Sequence, residues 1–325
     1  MRFKNPFVTP STRAFLAEAR KTPGYSFFDL LHGYVYIRWP YLYIGIGTGE
    51  HPLAKWLAPL GGWINKLITK RKHGEHLHAH IGFADTYHGK AVPLETAKQL
   101  VSIREEIEIP DLEQVIPYQR ARSIIMKNPD HIVVLDCPCR SAREHPCLPL
   151  DVCLIVGDPF AGFVHEHHPA RSRRITSDEA VAILTAEDER GHVHHAFFKD
   201  AMLDRFYAIC NCCECCCGAM QAQRNGTPML ASSGYVSQVD EDLCIGCGDC
   251  NSFCQFHALE IVDGVNHVIY EKCMGCGICT SKCVQGALSL VQDDAKGVPL
   301  EICEVMRDGI FPKPAEMSHP PIVPA

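Results

Sequence analysis

One cysteine pattern occurs twice near the C-terminus, at a fixed offset of 29 residues: Cys244-x2-Cys247-x2-Cys250-x3-Cys254 and Cys273-x2-Cys276-x2-Cys279-x3-Cys283. The repeat extends past the cysteines. Residues 242–248 (DLCIGCG) align with 271–277 (EKCMGCG), and 258–262 (ALEIV) with 287–291 (ALSLV). A duplication of this kind predicts two equivalent half-units about a pseudo-two-fold axis. Tyr235–Val239 and Leu259–Val262 alternate as strands do, and Asp263-Gly264 is a turn ahead of the stretch from His267 to Tyr270. Three thiolates at two-residue gaps can wrap one corner of a cubane while the fourth is thrown across to its neighbour, so the pattern predicts two [4Fe–4S] clusters. A zinc knuckle uses ligands in pairs and needs fewer than four cysteines per run. A disulfide framework fits poorly with 19 cysteines, an odd number, and no recognisable secretory leader.

Residues 234–295 resemble the bacterial two-cluster ferredoxins. Carried over residue by residue, the resemblance implies Cys244, Cys247, Cys250 and Cys283 on one cluster, and Cys254, Cys273, Cys276 and Cys279 on the other. That family has proline after the fourth cysteine of each run, where this chain has Gln255 and Val284. The departure leaves ligation alone and bears on the hydrogen bonding near the last sulfur.

Ten further cysteines form a second system. Cys137, Cys139, Cys147 and Cys153 come first, then Cys210, Cys212, Cys213, Cys215, Cys216 and Cys217. A buried free cysteine is common singly, but six within eight positions are a redox liability without metal, so all ten are candidate metal ligands. Read as a helix from Ala208 to Cys217, the run places Cys210, Cys213 and Cys217 on one face and Cys212 and Cys216 on another, with Gly218 as the residue after its end. Neighbouring cysteines diverge by about 100° on a helix, so two further clusters are expected, each drawing ligands from both groups. If the run is a loop, the face assignment fails and the metal inference stands. Cys303 lies outside both groups and is read as a plain thiol.

The segments at Asp136–Arg140, Arg173–Ala180, Gly191–His195 and Cys210–Gly218 resemble a family of ferredoxin-containing iron–sulfur proteins of anaerobic bacteria and archaea, over residues 120–295. The resemblance implies electron transfer and names no substrate. Cys216-Cys217-Gly218 is also similar to the Cys-Cys-Gly element of heterodisulfide-reductase subunits, although the downstream cysteine spacing of that family is missing. No Cys-x3-Cys-x2-Cys occurs, which disfavours radical chemistry on S-adenosylmethionine.

His165-Glu166-His167-His168 and His192-Val193-His194-His195 are candidate ligands or proton relays, weighed against structural histidines. They flank a helix marked by the capping box Thr176-x-x-Glu179 and ended by Gly191. Gly45-Ile46-Gly47-Thr48-Gly49 lacks the glycine spacing and the βαβ setting of a dinucleotide site. All three tryptophans lie between residues 39 and 63, and five of ten tyrosines between 25 and 43. With the broken amphipathic stretch from Lys55 to Lys72, they fit a membrane surface or a partner's groove, against an aromatic core. No run of 18 apolar residues exists to span a bilayer.

The expected class is α+β: an aromatic-rich N-terminal partner or membrane-surface region (1–90), a mostly helical, cysteine-rich metal-binding module (91–233), a ferredoxin-like two-cluster domain (234–298) and an extended tail (299–325). A segment from Leu94 is expected to be helical, and Met126–Asp136 a turn into a buried strand that delivers Cys137. The net charge of −7 is uneven, with nine acidic side chains against three lysines in residues 234–300, which suits docking on a basic partner patch. No basic patch supports nucleic-acid binding. Cysteine usage points to a reducing, cytoplasmic and low-oxygen setting, with possible contact at the membrane's cytoplasmic face. The expected cofactors are two [4Fe–4S] clusters and one or two further iron–sulfur clusters upstream. The expected role is single-electron transfer between a redox donor and an acceptor, within a larger oxidoreductase complex. The alternatives are a catalytic reductase subunit acting on a disulfide or quinone at Cys210–Cys217, and a scaffold whose metals are structural.

Overall fold

The computed structural model describes residues 8–54, 87–109 and 124–301. The Lys55–Lys72 stretch, Cys303 and the tail from Phe311 lie outside the described residues.

The chain begins with helices α1 (Pro10–Ala19), α2 (Phe27–Arg38) and α3 (Pro40–Gly47). Thr9 caps α1, and Ser26 with Asp29 forms a capping box on α2. Pro40 cannot continue α2 and is well placed in the first turn of α3. Then follow β1 (Tyr87–Ala91), α4 (Leu94–Ser102), β2 (Ile107–Ile109), β3 (Ile124–Asp136), α5 (Pro138–Ser141), β4 (Asp151–Asp158), α6 (Phe160–His167), β5 (Ser172–Ile175), α7 (Ser177–Glu189), β6 (Val193–Lys199), β7 (Arg205–Cys212), α8 (Gly218–Arg224) and β8 (Leu230–Ala231). The strands make one sheet in the order β2-β3-β4-β7-β6-β1-β8, with β5 also on β3, and only the β1–β8 pairing is parallel.

The module is therefore not mostly helical. Ile132–Leu135, Val152–Val156 and Phe206–Ile209 are continuous apolar runs, the mark of strands covered on both faces. Alternate residues feed two cores. Ile132, Val134, Leu154, Val156, Ala196 and Ile209 meet α4 and α7. Val133, Leu135, Ile155, Phe197 and Tyr207 meet α6 and the N-terminal helices. The capping box of α7 is present, and Gly191 at φ 79° turns the chain after it.

The N-terminal aromatics largely face inward. Phe15 packs edge-on against Phe160 and Phe163 at ring separations of 6.3 and 5.9 Å. Tyr36 shares a hydrogen bond with Tyr207 at 2.8 Å, Tyr25 donates to the Ala201 carbonyl at 2.7 Å and Tyr41 to that of Asp136 at 2.9 Å. Lys199 lies over the rings of Tyr36 and Tyr43. Phe27, Phe28, Leu31, Trp39 and Leu42 remain exposed. No helix among the described residues is long and apolar enough to cross a membrane.

The last unit contains β9 (Tyr235–Val239), α9 (Asp249–Phe253), β10 (Leu259–Val262), β11 (Val265–Val268), α10 (Ile278–Lys282) and β12 (Leu288–Gln292). Each two-stranded sheet mixes the halves of the repeat: β9 pairs with β12, and β11 with β10. Neither half can complete its sheet alone. Gly246 and Gly275, one repeat apart, hold φ near 63° and 62°. A Cβ there would lie 2.2 Å from the Gly264 carbonyl oxygen or 2.1 Å from that of Tyr235, so both positions require glycine.

Candidate metal centres

The run from Cys210 is not a helix. Cys210 and Cys212 sit on one face of β7, the chain turns through 213–217, and α8 starts at Gly218, which is its first residue and not the residue after a helix. The helical faces drawn for these cysteines are thereby overturned, because the spacing of 210 and 212 also satisfies the two-residue period of a strand. The turn divides the ten thiols into six and four.

Six thiols gather on the aromatic face of the sheet. Cys137 caps α5, Cys139 lies within it, Cys153 is on β4, Cys210 and Cys212 are on β7, and Cys217 caps α8. Cys153 neighbours both Cys137 and Cys210, Cys139 neighbours Cys137 and Cys217, and Cys217 Sγ lies 3.3 Å from Cys212 Sγ. They surround a cavity of about 70 Å³ that Tyr36, Ile44, Phe197 and Tyr207 also line. The adjoining Cys139 thiol and burial push Cys137 up to about 12. Cys212 is drawn down by its bond to Cys217, but burial carries it up to about 12. Thiols crowded in an apolar pocket cannot ionise together unless a cation compensates them, so this cage suits a metal centre.

Arg140 forms the polar wall of this cage. Its Nη2 donates to Glu187 Oε2 at 2.5 Å and to the Asn211 carbonyl at 3.1 Å, and lies 3.0 Å from His192 Nδ1. Its Nη1 donates to the Pro149 carbonyl at 2.5 Å. Burial works against the charge, but Glu187, Cys137 and Cys213 hold the guanidinium firmly protonated.

Cys147, Cys213, Cys215 and Cys216 make a second set, with all four sulfurs within 4.8 Å of one another. Cys147 Sγ is 3.0 Å from Cys215 Sγ, which is 3.6 Å from Cys216 Sγ. Burial raises Cys215, but hydrogen bonds from Cys147, Cys213 and Cys216 outweigh it and hold that thiol below 9. Cys213 and Cys216 also line the cage cavity, so the two sets share a wall.

In the last unit Cys250 neighbours Cys247 and Cys283, and Cys279 neighbours Cys254 and Cys273. The backbone hydrogen bonds to sulfur repeat with the duplication. Asn266 N–H donates to Cys244 at 3.4 Å as Ser237 N–H does to Cys273 at 3.4 Å. Ala258 N–H donates to Cys254 at 3.3 Å as Ala287 N–H does to Cys283 at 3.2 Å. The side chains differ: Asn266 Nδ2 donates to Cys250 at 2.7 Å, whereas Ser237 Oγ lies 3.3 Å from Cys279 Sγ. Ser237 and Asn266 were not singled out by sequence, although extending the repeat by a few residues pairs them.

One side of this unit is docked and the other is open. Phe256 lies 6.4 Å, ring to ring, from the fully buried His195. Gln255 Oε1 accepts from Glu214 N–H at 2.9 Å, His257 Nε2 meets Glu214 Oε2 at 2.6 Å, and Ser281 Oγ donates to Asp188 at 3.0 Å. On the other side Cys247 is exposed, among exposed Leu243, Ile245, Ile261, Val262 and Val284.

Four of the six histidines in the two clusters act as struts. His167 bonds Thr12 at 3.0 Å, His168 the Ile37 carbonyl at 3.1 Å, His192 Glu187 at 2.7 Å and His194 Asn211 at 2.6 Å.

The family model of the 4Fe-4S dicluster domain matches residues 237–284. No curated protein matches the chain. Residues 237–284 thus carry an iron–sulfur domain, and the upstream cysteines add thiols suited to further metal.

Proposed function

We propose that the chain is a multi-cluster iron–sulfur electron-transfer protein whose last unit is docked on a six-thiol iron–sulfur site of its own. Cys244, Cys247, Cys250 and Cys283 would hold the outer [4Fe–4S] cluster, and Cys254, Cys273, Cys276 and Cys279 the inner one. Cys137, Cys139, Cys153, Cys210, Cys212 and Cys217 would hold a third centre. Such clusters supply reversible one-electron redox chemistry. The observation that carries the reading is the asymmetry of the docking. The side that bears Cys254 abuts the module at His195 and Glu214, while the side that bears Cys247 faces solvent through an apolar rim. The chain's residues space these sites, exclude water from two of them and tune them through N–H donors to sulfur.

The open rim, on an acidic lobe, suits a redox protein with a basic docking patch. The exposed Phe27, Phe28 and Trp39 suit a second contact, with a subunit of an oxidoreductase complex or the cytoplasmic membrane face. The test is iron and acid-labile sulfide on anaerobically purified protein, followed by a redox titration. The two cubanes account for about eight of each per chain. We expect more than that, and at least three centres that accept electrons. Eight of each, or centres that cannot be reduced, would overturn the reading.

One observation favours a reductase acting on a disulfide or quinone. Six cage thiols exceed the four that a cubane takes. In that case Cys217→Ser abolishes turnover while the ferredoxin clusters stay reducible.

A further inference from the structure

The four thiols outside the cage have a geometry of their own. A single tetrahedral ion with metal–sulfur bonds of about 2.3 Å sets its sulfurs about 3.8 Å apart. A cubane holds its thiolates farther apart, because each binds a different iron. Cys147, Cys213, Cys215 and Cys216 all lie within 4.8 Å of one another, a closeness that no other such set reaches among the described residues.

The surroundings match a small anionic centre. Four thiolates around a divalent ion carry a net charge of −2. Arg143 sits beside them: its Nη1 is ion-paired with Glu50, its Nη2 donates to the Cys216 carbonyl at 3.2 Å, and its buried Nε has no hydrogen-bond partner. Arg140 lies within electrostatic reach of Cys213. Gln221 Nε2 holds the Cys215 carbonyl at 3.2 Å, and Arg224 Nη2 that of Glu214 at 2.8 Å, so the turn is braced from α8.

We propose that Cys147, Cys213, Cys215 and Cys216 bind one tetrahedral divalent metal ion of the zinc class, which clamps the segment after α5 to the 213–217 turn and closes one wall of the cage. The ion changes no oxidation state and holds Cys213 and Cys216 where they line the cavity. This goes beyond the electron-transfer reading and does not depend on it, since these thiols are not among those that reading uses.

The experiment is zinc, iron and acid-labile sulfide analysis of the full chain and of its Cys215→Ser variant, both purified anaerobically. The expected result is about one zinc ion per chain, lost in the variant while sulfide is unchanged. A single iron lost without sulfide would leave a mononuclear site but overturn its assignment to a redox-inert ion of the zinc class. Iron and sulfide falling together would make it a cluster and overturn the proposal, as would a variant that loses no metal. X-ray absorption at the zinc edge of the unmodified protein provides a check that needs no variant. We expect one shell of four sulfurs at about 2.3 Å and no neighbouring metal, and mixed nitrogen or oxygen ligation would overturn the assignment. Zinc present in an unmodified protein that holds only about eight iron and eight sulfide would overturn the electron-transfer reading alone.

Discussion

Arg140 and Glu187 meet at 2.5 Å inside the protein, with each side chain about 1% exposed. The pair joins the short helix α5, which carries Cys139, to the end of α7 beneath the ferredoxin unit. Burial raises the carboxyl, but bonds from His192 and Arg140 outweigh it and hold Glu187 below its ordinary 4.5. Glu187→Gln would leave a buried guanidinium without its carboxylate, at a cost of about 3–5 kcal/mol. Denaturant unfolding checks this. An unchanged midpoint would mean that the cage thiolates, not Glu187, balance Arg140.

Asp188 tests the contact between the units. Burial raises it, but the His194 ring 3.8 Å away and the hydrogen bond from Ser281 hold it below 3.8. A depressed carboxylate contributes stability that is complete above the unfolded pKa and is lost as pH falls through the folded one. The advantage of the native protein over Asp188→Asn should therefore be constant near neutrality and shrink as pH drops below 3.8. Urea midpoints of both proteins across pH measure it, and comparing the two removes the shared acid lability of the metal centres. An advantage that grows on acidification would refute the assignment.

Gly275→Ala is expected to cost one centre. Its Cβ would press to 2.1 Å from the Tyr235 carbonyl oxygen, at a backbone φ of 62°. The Cys273–Cys279 loop must then shift, and about four irons per chain should be lost. Gly246→Ala should do the same to the other loop. Full iron content in both variants would show that the loops adapt.

Val284→Asp should act on exchange with a partner and on little else. The residue is 89% exposed beside Cys283, so stability should change by no more than about 0.5 kcal/mol. Electron exchange with an external partner should slow while intramolecular reduction is unaffected. Stopped-flow reduction separates the two, and equal slowing of both would place the contact elsewhere.

Legibility in the sequence followed the origin of each constraint. The ferredoxin cysteines, the strands β9 and β10 and the turn at Asp263-Gly264 were readable because metal and turn chemistry prescribe local spacing. The capping box at Thr176 was readable for the same reason. The strand β7 was misread, since cysteines at 210, 212, 213, 216 and 217 satisfy a helical period as well as a strand followed by a turn. Only pairing with β4 and β6 decides between them. The division of ten thiols into six and four was invisible, because it depends on the contact between Cys147 and Cys215, 68 residues apart. Arg140 could have been suspected from its place beside Cys139, but its partners Glu187 and Asn211 come from distant strands and helices.

Gln255 and Val284 hold the same place in the two copies of the repeat. Gln255 is tied to the backbone of Glu214, and Val284 stands open to solvent. The departure from proline at both positions thus has two unrelated meanings. Duplication produces a symmetrical object, and a symmetrical pair of redox sites has no front or back. By attaching one side of the pair to the rest of the chain, with residues of both copies, the fold gives it a polarity: one end is turned to the protein and the other to solvent.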